Sequence, residues 1–412
     1  MLFCTLLLAT TLMALQAPKP DAPYFQSELI APPESLHNHG SCIIETPKGN
    51  LLVCWYRGSG ERTADDVQVV GARRQKGCKG WSERFVMQDT PGFPDTNPCM
   101  ILDPQQKLWL FWSNVLDNHW ETALTQFKMS RKYDQKEGSP QWETQRVLFM
   151  KPGVEFLRVV ERDLAKQWEP YRKDASPAEL KKLDAYVKER LEWAKVPAYV
   201  RQGWMTRAHP TVLPTGRMIV PLYSDRFDFS LMAITEDRGN TWRFSEPLVG
   251  AGNVQPSIVQ RKDGTLVAYF RDNGLAPQRV MVSESQDQGM TWNSVHDTEM
   301  WNPGAGLETL VLKSGNWLLV NNDTEKGRHR LALHLSQDEG KTWRVARYLE
   351  RDEERNGAGS YSYPSILQAQ EGRIHVTYSY TANAKNAKNE GKGETIKHAE
   401  FNEAWVLEGM HL

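Results

Sequence analysis

Three eight-residue segments of this chain are near copies of one another. They are Thr235-Glu236-Asp237-Arg238-Gly239-Asn240-Thr241-Trp242, Ser285-Gln286-Asp287-Gln288-Gly289-Met290-Thr291-Trp292 and Ser336-Gln337-Asp338-Glu339-Gly340-Lys341-Thr342-Trp343. The final Trp recurs at intervals of 50 and 51 residues, and weaker echoes end at Trp81 and Trp142. A period of this length means that one supersecondary unit is built repeatedly. In each copy the Asp can accept backbone N–H bonds, the Gly supplies a positive φ, and Thr and Trp open a returning strand. The repeated Asp residues therefore read as turn locks on the outer edge of each unit, not as catalytic groups.

Between the copies run short apolar strands, at Leu51–Tyr56, Leu108–Trp112, Met218–Leu222, Thr265–Phe270, Trp317–Val320 and Ile374–Tyr378. Several follow a Gly turn such as Pro47-Lys48-Gly49-Asn50 or Gln370-Glu371-Gly372-Arg373. Six strand-turn units predict an all-β, six-bladed β-propeller, each blade a small antiparallel sheet. Its 412 residues suit one ring that grows by adding blades. Residues 153 to 197 break the pattern. They are charged, open a capping box at Ser176-Pro177-Ala178-Glu179, and space Leu180, Leu183, Val187 and Leu191 helically. A helical insertion between blades is expected, packed on the ring or serving as a lid.

Residues 1–17 form an apolar run without charge, read as a secretory signal peptide. This predicts a secreted or periplasmic protein, with the propeller over 22–412. No other segment is long and apolar enough to span a bilayer. Fifty Lys and Arg balance 51 Asp and Glu, which argues against nucleic acid as a partner. Cys42, Cys54, Cys78 and Cys99 remain after the signal; their spacing fits no zinc pattern. Cys42 and Cys54 flank a turn and could face each other across a hairpin, as a disulfide or as free thiols. Neither cofactor nor metal is expected, and the oligomeric state is not legible.

The repeats, the strands and several local motifs resemble the sialidase (neuraminidase) superfamily, in particular its bacterial BNR, or Asp-box, repeat branch, over roughly residues 35 to 405. That resemblance implies a glycosidase whose substrate carboxylate is held by Arg residues from different blades, because planar guanidinium matches planar carboxylate. It places Arg271, in Val267-Ala268-Tyr269-Phe270-Arg271-Asp272-Asn273-Gly274, and Arg328 in that clamp. The first clamp Arg is replaced: the run reads Leu36-His37-Asn38-His39-Gly40-Ser41, and His39 aligns with it. The nucleophile is implied to be Tyr363, in Gly359-Ser360-Tyr361-Ser362-Tyr363-Pro364-Ser365, with Tyr361 as fallback. The partner Glu is also replaced, by Gln255 in Asn253-Val254-Gln255-Pro256-Ser257, with Glu308 as a possible substitute. The general acid is expected on the loop Arg57 to Asp66, where Asp66 aligns and Glu61 or Asp65 could raise its pKa. Glu61, Arg62, Asn97, Arg207 and His209 complete the expected substrate contacts. The resulting expectation is a secreted exo-glycosidase for an acidic sugar such as a sialic or uronic acid. The altered Arg and Glu also admit a propeller-type polysaccharide lyase, with Tyr and His as acid and base. A non-catalytic carbohydrate-binding propeller is the third reading.

Overall fold

The structure, a computed structural model, describes residues 22–411; the expected signal peptide lies outside them. Six four-stranded antiparallel sheets follow one another around a ring. Blade 1 is built from His37–Glu45, Leu51–Gly58, Gln68–Arg74 and Phe85–Gln88, and blade 2 from Asp95–Leu102, Leu108–Val115, Ala123–Ser130 and Thr144–Val147. Blade 3 comprises Thr211–Val212, Met218–Ser224, Phe229–Thr235 and Arg243–Phe244, and blade 4 Asn253–Gln260, Leu266–Asp272, Arg279–Ser285 and His296–Trp301. Blade 5 holds Glu308–Val311, Trp317–Asn321, Arg330–Ser336 and Arg344–Arg351. Blade 6 takes Ser360–Gln368, Ile374–Thr381 and Glu394–Phe401, and its fourth strand comes from the other end of the chain, Phe25–Leu29. This N-terminal strand pairs with Glu394–Phe401 from Phe25↔Phe401 to Leu29↔Lys397 and closes the ring. The sequence expectation of six blades with a helical insertion is met.

The second strand of each blade carries most of the core, because neighbouring blades cover both of its faces. Leu108–Val115 is buried at every position, so it reads as a continuous apolar run and not as an alternating one. The three turn motifs join third to fourth strands in blades 3, 4 and 5 and are built alike. The Asp237 carboxylate accepts from Thr241 N (2.8 Å), Thr241 Oγ1 (2.6 Å) and Thr235 Oγ1 (2.9 Å). Asp287 and Asp338 repeat the pattern. Gly239, Gly289 and Gly340 have φ of 77°, 90° and 83°. The motif Trp side chains wedge into the preceding blade: Trp242 stacks edge-on against Phe127, and Trp343 against Tyr269.

Between blades 2 and 3 the insertion folds as two helices, α1 (Glu155–Arg172) and α2 (Pro177–Ala194). Ser176 caps α2, its hydroxyl accepting from Glu179 N while Glu179 reaches back to Ser176 N. Phe156, Val159, Val160 and Leu164 of α1 and Leu183 and Val187 of α2 join the core of blades 1 to 3. Cys42, Cys54, Cys78 and Cys99 are free thiols, and Cys42 and Cys54 are cross-strand partners as the hairpin suggested. No described helix is long and apolar enough to cross a membrane.

Candidate active site

The first strands of the blades surround the axis, and their two ends open into two different spaces. Their final residues, among them Ile43, Ile101, Val212, Val259, Val311 and Ile366, line one cavity of about 520 Å³. Their opening residues and the ends of the second strands line another, of about 370 Å³. This second cavity gathers His39 and Glu61 from blade 1, Asn97 from blade 2, Gln255 and Arg271 from blade 4, Arg328 from blade 5 and Tyr363 from blade 6. Seven of the sequence-predicted site residues thus meet at one mouth of the ring.

A repeated backbone irregularity aims several of these side chains. The pairing of first with second strands skips between His39 and Cys42, Thr96 and Cys99, Val254 and Ser257, and Ser362 and Ser365. Within the four bulges Gly40, Asn97, Gln255 and Tyr363 adopt φ of 62°, 49°, 55° and 55°. Three of these are not glycine and each precedes a proline. Such a conformation costs about 1–3 kcal/mol per residue and persists where the surroundings impose it. Bulges beside active sites commonly redirect a side chain in this way.

Tyr363 is the hub. Its Oη accepts from Arg271 Nη1 (2.7 Å) and Gln255 Nε2 (3.2 Å). Arg207 and Arg328 place their guanidinium carbons 5.1 Å and 5.3 Å from its ring centroid, and the His39 ring lies 4.2 Å away. Burial pushes the phenol pKa up, but Arg271 and Arg328 outweigh it and leave the group more acidic than a free tyrosine. Gly306 packs behind the ring, where a Cβ would come within 3.2 Å of Tyr363 Cδ1. Arg271 is held in turn by Asn273 Oδ1 (3.0 Å), and Asn273 Nδ2 donates to Asp228 Oδ1 (3.1 Å). Asp228 Oδ2 accepts from Tyr186 and Arg190 of α2. A chain of hydrogen bonds therefore links the helical insertion to Tyr363.

Four predicted residues lie elsewhere. Asp66 does not line the cavity; it caps the exposed loop, accepting from Ser59 N (3.0 Å) and Ser59 Oγ (2.8 Å). Arg62 also stays outside, above the Trp120 ring. Glu308 does not meet Tyr363 but lines the other cavity. Its carboxylate is consumed by His209 N (2.7 Å), His209 Nδ1 (2.8 Å) and Ile366 N (2.9 Å). His209 lies with it, its Nε2 3.3 Å from Cys42 Sγ. Burial opposes ionisation of that thiol, but the neighbouring Cys54 thiol and the His209 charge bring it down to about 5. This Cys–His–Glu strut ties blades 1, 3 and 5 together inside the ring. The fallback Tyr361 bonds Asp352 instead, and Asp65 bonds Asn118.

The sequence reading missed Tyr223 and Asp225, which also line the cavity. Tyr223 Oη accepts from Asn97 Nδ2 (3.1 Å) and Gln255 Nε2 (3.3 Å). Burial pushes the Asp225 carboxyl up to about 7; Arg271 opposes this, while Asp228, Glu121 and Glu61 add to it. The usable signal was positional: Tyr223 and Asp225 follow the apolar run of their blade as Arg271 follows its own.

A ring of six blades with two guanidinium groups and a tyrosine at one axial mouth defines a propeller of the sialidase type. Residues 49–167 and 198–376 match the BNR repeat-like domain, and the chain belongs to that family. Its fold resembles a Dyadobacter fermentans protein of unknown function (TM-score 0.64, 14% identity, 92% of this chain and 99% of that one). It also resembles the intramolecular trans-sialidase of Ruminococcus gnavus, solved with oseltamivir carboxylate (0.62, 13% identity, 92% and 97%). A third likeness is Trypanosoma rangeli sialidase with 2,3-difluorosialic acid, described as a covalent intermediate (0.60, 12% identity, 92% and 55%). No protein of curated function matches the sequence.

Proposed function

We propose that the protein is an exo-acting glycoside hydrolase for a terminal acidic sugar, with Tyr363 as nucleophile. The observation that carries this reading is the Tyr363 oxygen, which takes N–H bonds from Arg271 and Gln255 inside an Arg-lined cavity. Donors aimed at a phenol oxygen favour its anion, and a phenolate is a competent nucleophile. Arg271 and Arg328 hold the sugar carboxylate. The Tyr363 phenolate, its proton already lost to solvent, bonds to the anomeric carbon as the bond to the leaving oxygen breaks, and that oxygen takes the proton of Asp225. Ionised Asp225 then removes a proton from the water that displaces Tyr363. Asp225 replaces Asp66 in this role because it lines the cavity and burial lifts its carboxyl to about 7, so that it can both give and take a proton near neutrality. Gln255 orients Tyr363 and moves no proton. Secretion belongs to the same reading and rests on the apolar N-terminal run.

The test is turnover of fluorogenic α-sialosides and β-glucuronides by the parent and by Tyr363→Phe. The reading requires release from one acidic glycoside and its loss in the variant; neutral glycosides hydrolysed equally well would contradict it. A second reading, a lyase, is favoured by one contact: the His39 ring lies 4.2 Å from Tyr363, and burial, His37 and the arginines keep it neutral. An unsaturated uronate, absorbing in the ultraviolet, would appear only in that case.

A further inference from the structure

We propose that His37, His39 and Glu61 form a binding site for one divalent cation of the zinc class in the wall of this cavity. The local sequence builds it. His37, Asn38 and His39 open the first strand of blade 1, and alternate residues of a strand share a face. Asn38 between them also borders the cavity but spends its side chain on Trp55 Nε1 (2.8 Å) and Glu34, and both imidazoles line the same cavity. Glu61 comes from the loop after the second strand and is held by Tyr56 Oη (2.8 Å). One ligand atom from each of the three lies within 4.8 Å of the others.

The hydrogen bonding leaves a nitrogen of each imidazole open to an ion, and Glu61 Oε1, which accepts from Tyr56, keeps a second lone pair. His37 Nδ1 meets Glu394 Oε2 at 2.7 Å, while Nε2 is buried without a partner, 3.9 Å from Glu61 Oε1. That gap is too long for a hydrogen bond. It accommodates an ion about 2.0–2.2 Å from each atom. A carboxylate behind the other ring nitrogen, the place Glu394 occupies, fixes the tautomer of a metal-bound histidine. His39 is 8% exposed, lines the cavity and makes no side-chain hydrogen bond among the described residues. Two imidazoles and one carboxylate are the donor set of zinc sites that keep a position open for substrate. The other cluster of this kind, His375, His398 and Glu400, is already spent. Its two rings bond each other at 3.0 Å, and Glu400 holds Arg74 and Gln26.

The ion's role rests on the reading above: it would add a third positive centre to Arg271 and Arg328 for an acidic sugar. The two arginines repel a cation in the empty cavity, so a bound sugar carboxylate strengthens its binding. The binding itself is read without turnover. Tag-free protein is stripped with chelator, desalted and titrated calorimetrically with Zn²⁺, with Mg²⁺ and Ca²⁺ as comparisons. One Zn²⁺ per chain is expected, preferred over both. The His37→Gln/His39→Gln variant should lose it, and Glu394→Gln should weaken it by about 10–100-fold, with unchanged circular dichroism. Equal Zn²⁺ uptake by parent and double variant, or loss of uptake in His375→Gln/His398→Gln instead, overturns the proposal. The glycosidase reading survives that failure, because it is tested by turnover alone.

Discussion

At the scale of single residues the site depends on backbone that ordinary residues avoid. Gly40 has φ of 62°, and an added Cβ would lie 2.8 Å from Tyr56 Cε1. Tyr56 holds Glu61, so Gly40→Ala should damage both the first-strand bulge and the cavity wall. A loss of about 1–3 kcal/mol in denaturant unfolding is expected, with activity falling further than stability. Asp225 sets the expected pH dependence. Its proton-donor form is lost as pH rises through about 7, so kcat/KM should fall on that side. Burial sets most of that midpoint, with Arg271 lowering it and Asp228, Glu121 and Glu61 raising it. Asp225→Asn should lower the rate by about 10²–10⁴-fold and abolish that alkaline limb; a limb that persists would move the acid elsewhere. The sequence made Arg271, Arg328, Gln255 and Tyr363 legible because each sits in a local motif. It misplaced Asp66 and Glu308 because a motif fixes the strand but not the direction of a side chain. Asp66 turned back onto Ser59, and Glu308 pointed to the opposite end of the axis.

At the scale of elements, the repeated turn and the helical insertion do different work. The turns were fully legible, since Asp, Gly, Thr and Trp act within eight residues. The insertion was legible as helix through its capping box. Its contact with the site was not, because Asp228, Asn273 and Arg271 come together from separate strands and loops. This contact makes the insertion a support for the clamp. Asp228 holds φ of 54°, which Asn tolerates well, so Asp228→Asn removes the charge while sparing the turn. Losing charge-assisted hydrogen bonds of about 1.5–3 kcal/mol should raise KM for acidic substrates by roughly ten- to a hundredfold. The unfolding midpoint should fall by only a few degrees, about 2 °C per kcal/mol. An unchanged KM would reduce α1 and α2 to packing against the ring.

At the scale of the whole molecule, the ring is closed by a strand from the opposite end of the chain. No local pattern announced that Phe25–Leu29 pairs with Glu394–Phe401, because the partners are separated by almost the full sequence. Side chains reinforce the seam: Arg74 bonds Glu28 and Glu400, and Gln26 bonds Glu400. Removing residues 1–30 should expose an unpaired strand edge, a template for aggregation. Each kcal/mol lost should lower the unfolding midpoint by about 2 °C, and light scattering should rise with it. Closure also holds the site together, since Tyr363 on blade 6 takes its hydrogen bonds from Arg271 and Gln255 on blade 4. That arrangement is the central claim, and covalent trapping tests it most directly. The parent is incubated with an activated fluoro derivative of the acidic sugar it hydrolyses, digested, and the labelled peptide sequenced by mass spectrometry. The label should sit on Tyr363 and be absent from Tyr363→Phe; a label on another side chain, or turnover that survives in Tyr363→Phe, would contradict the account.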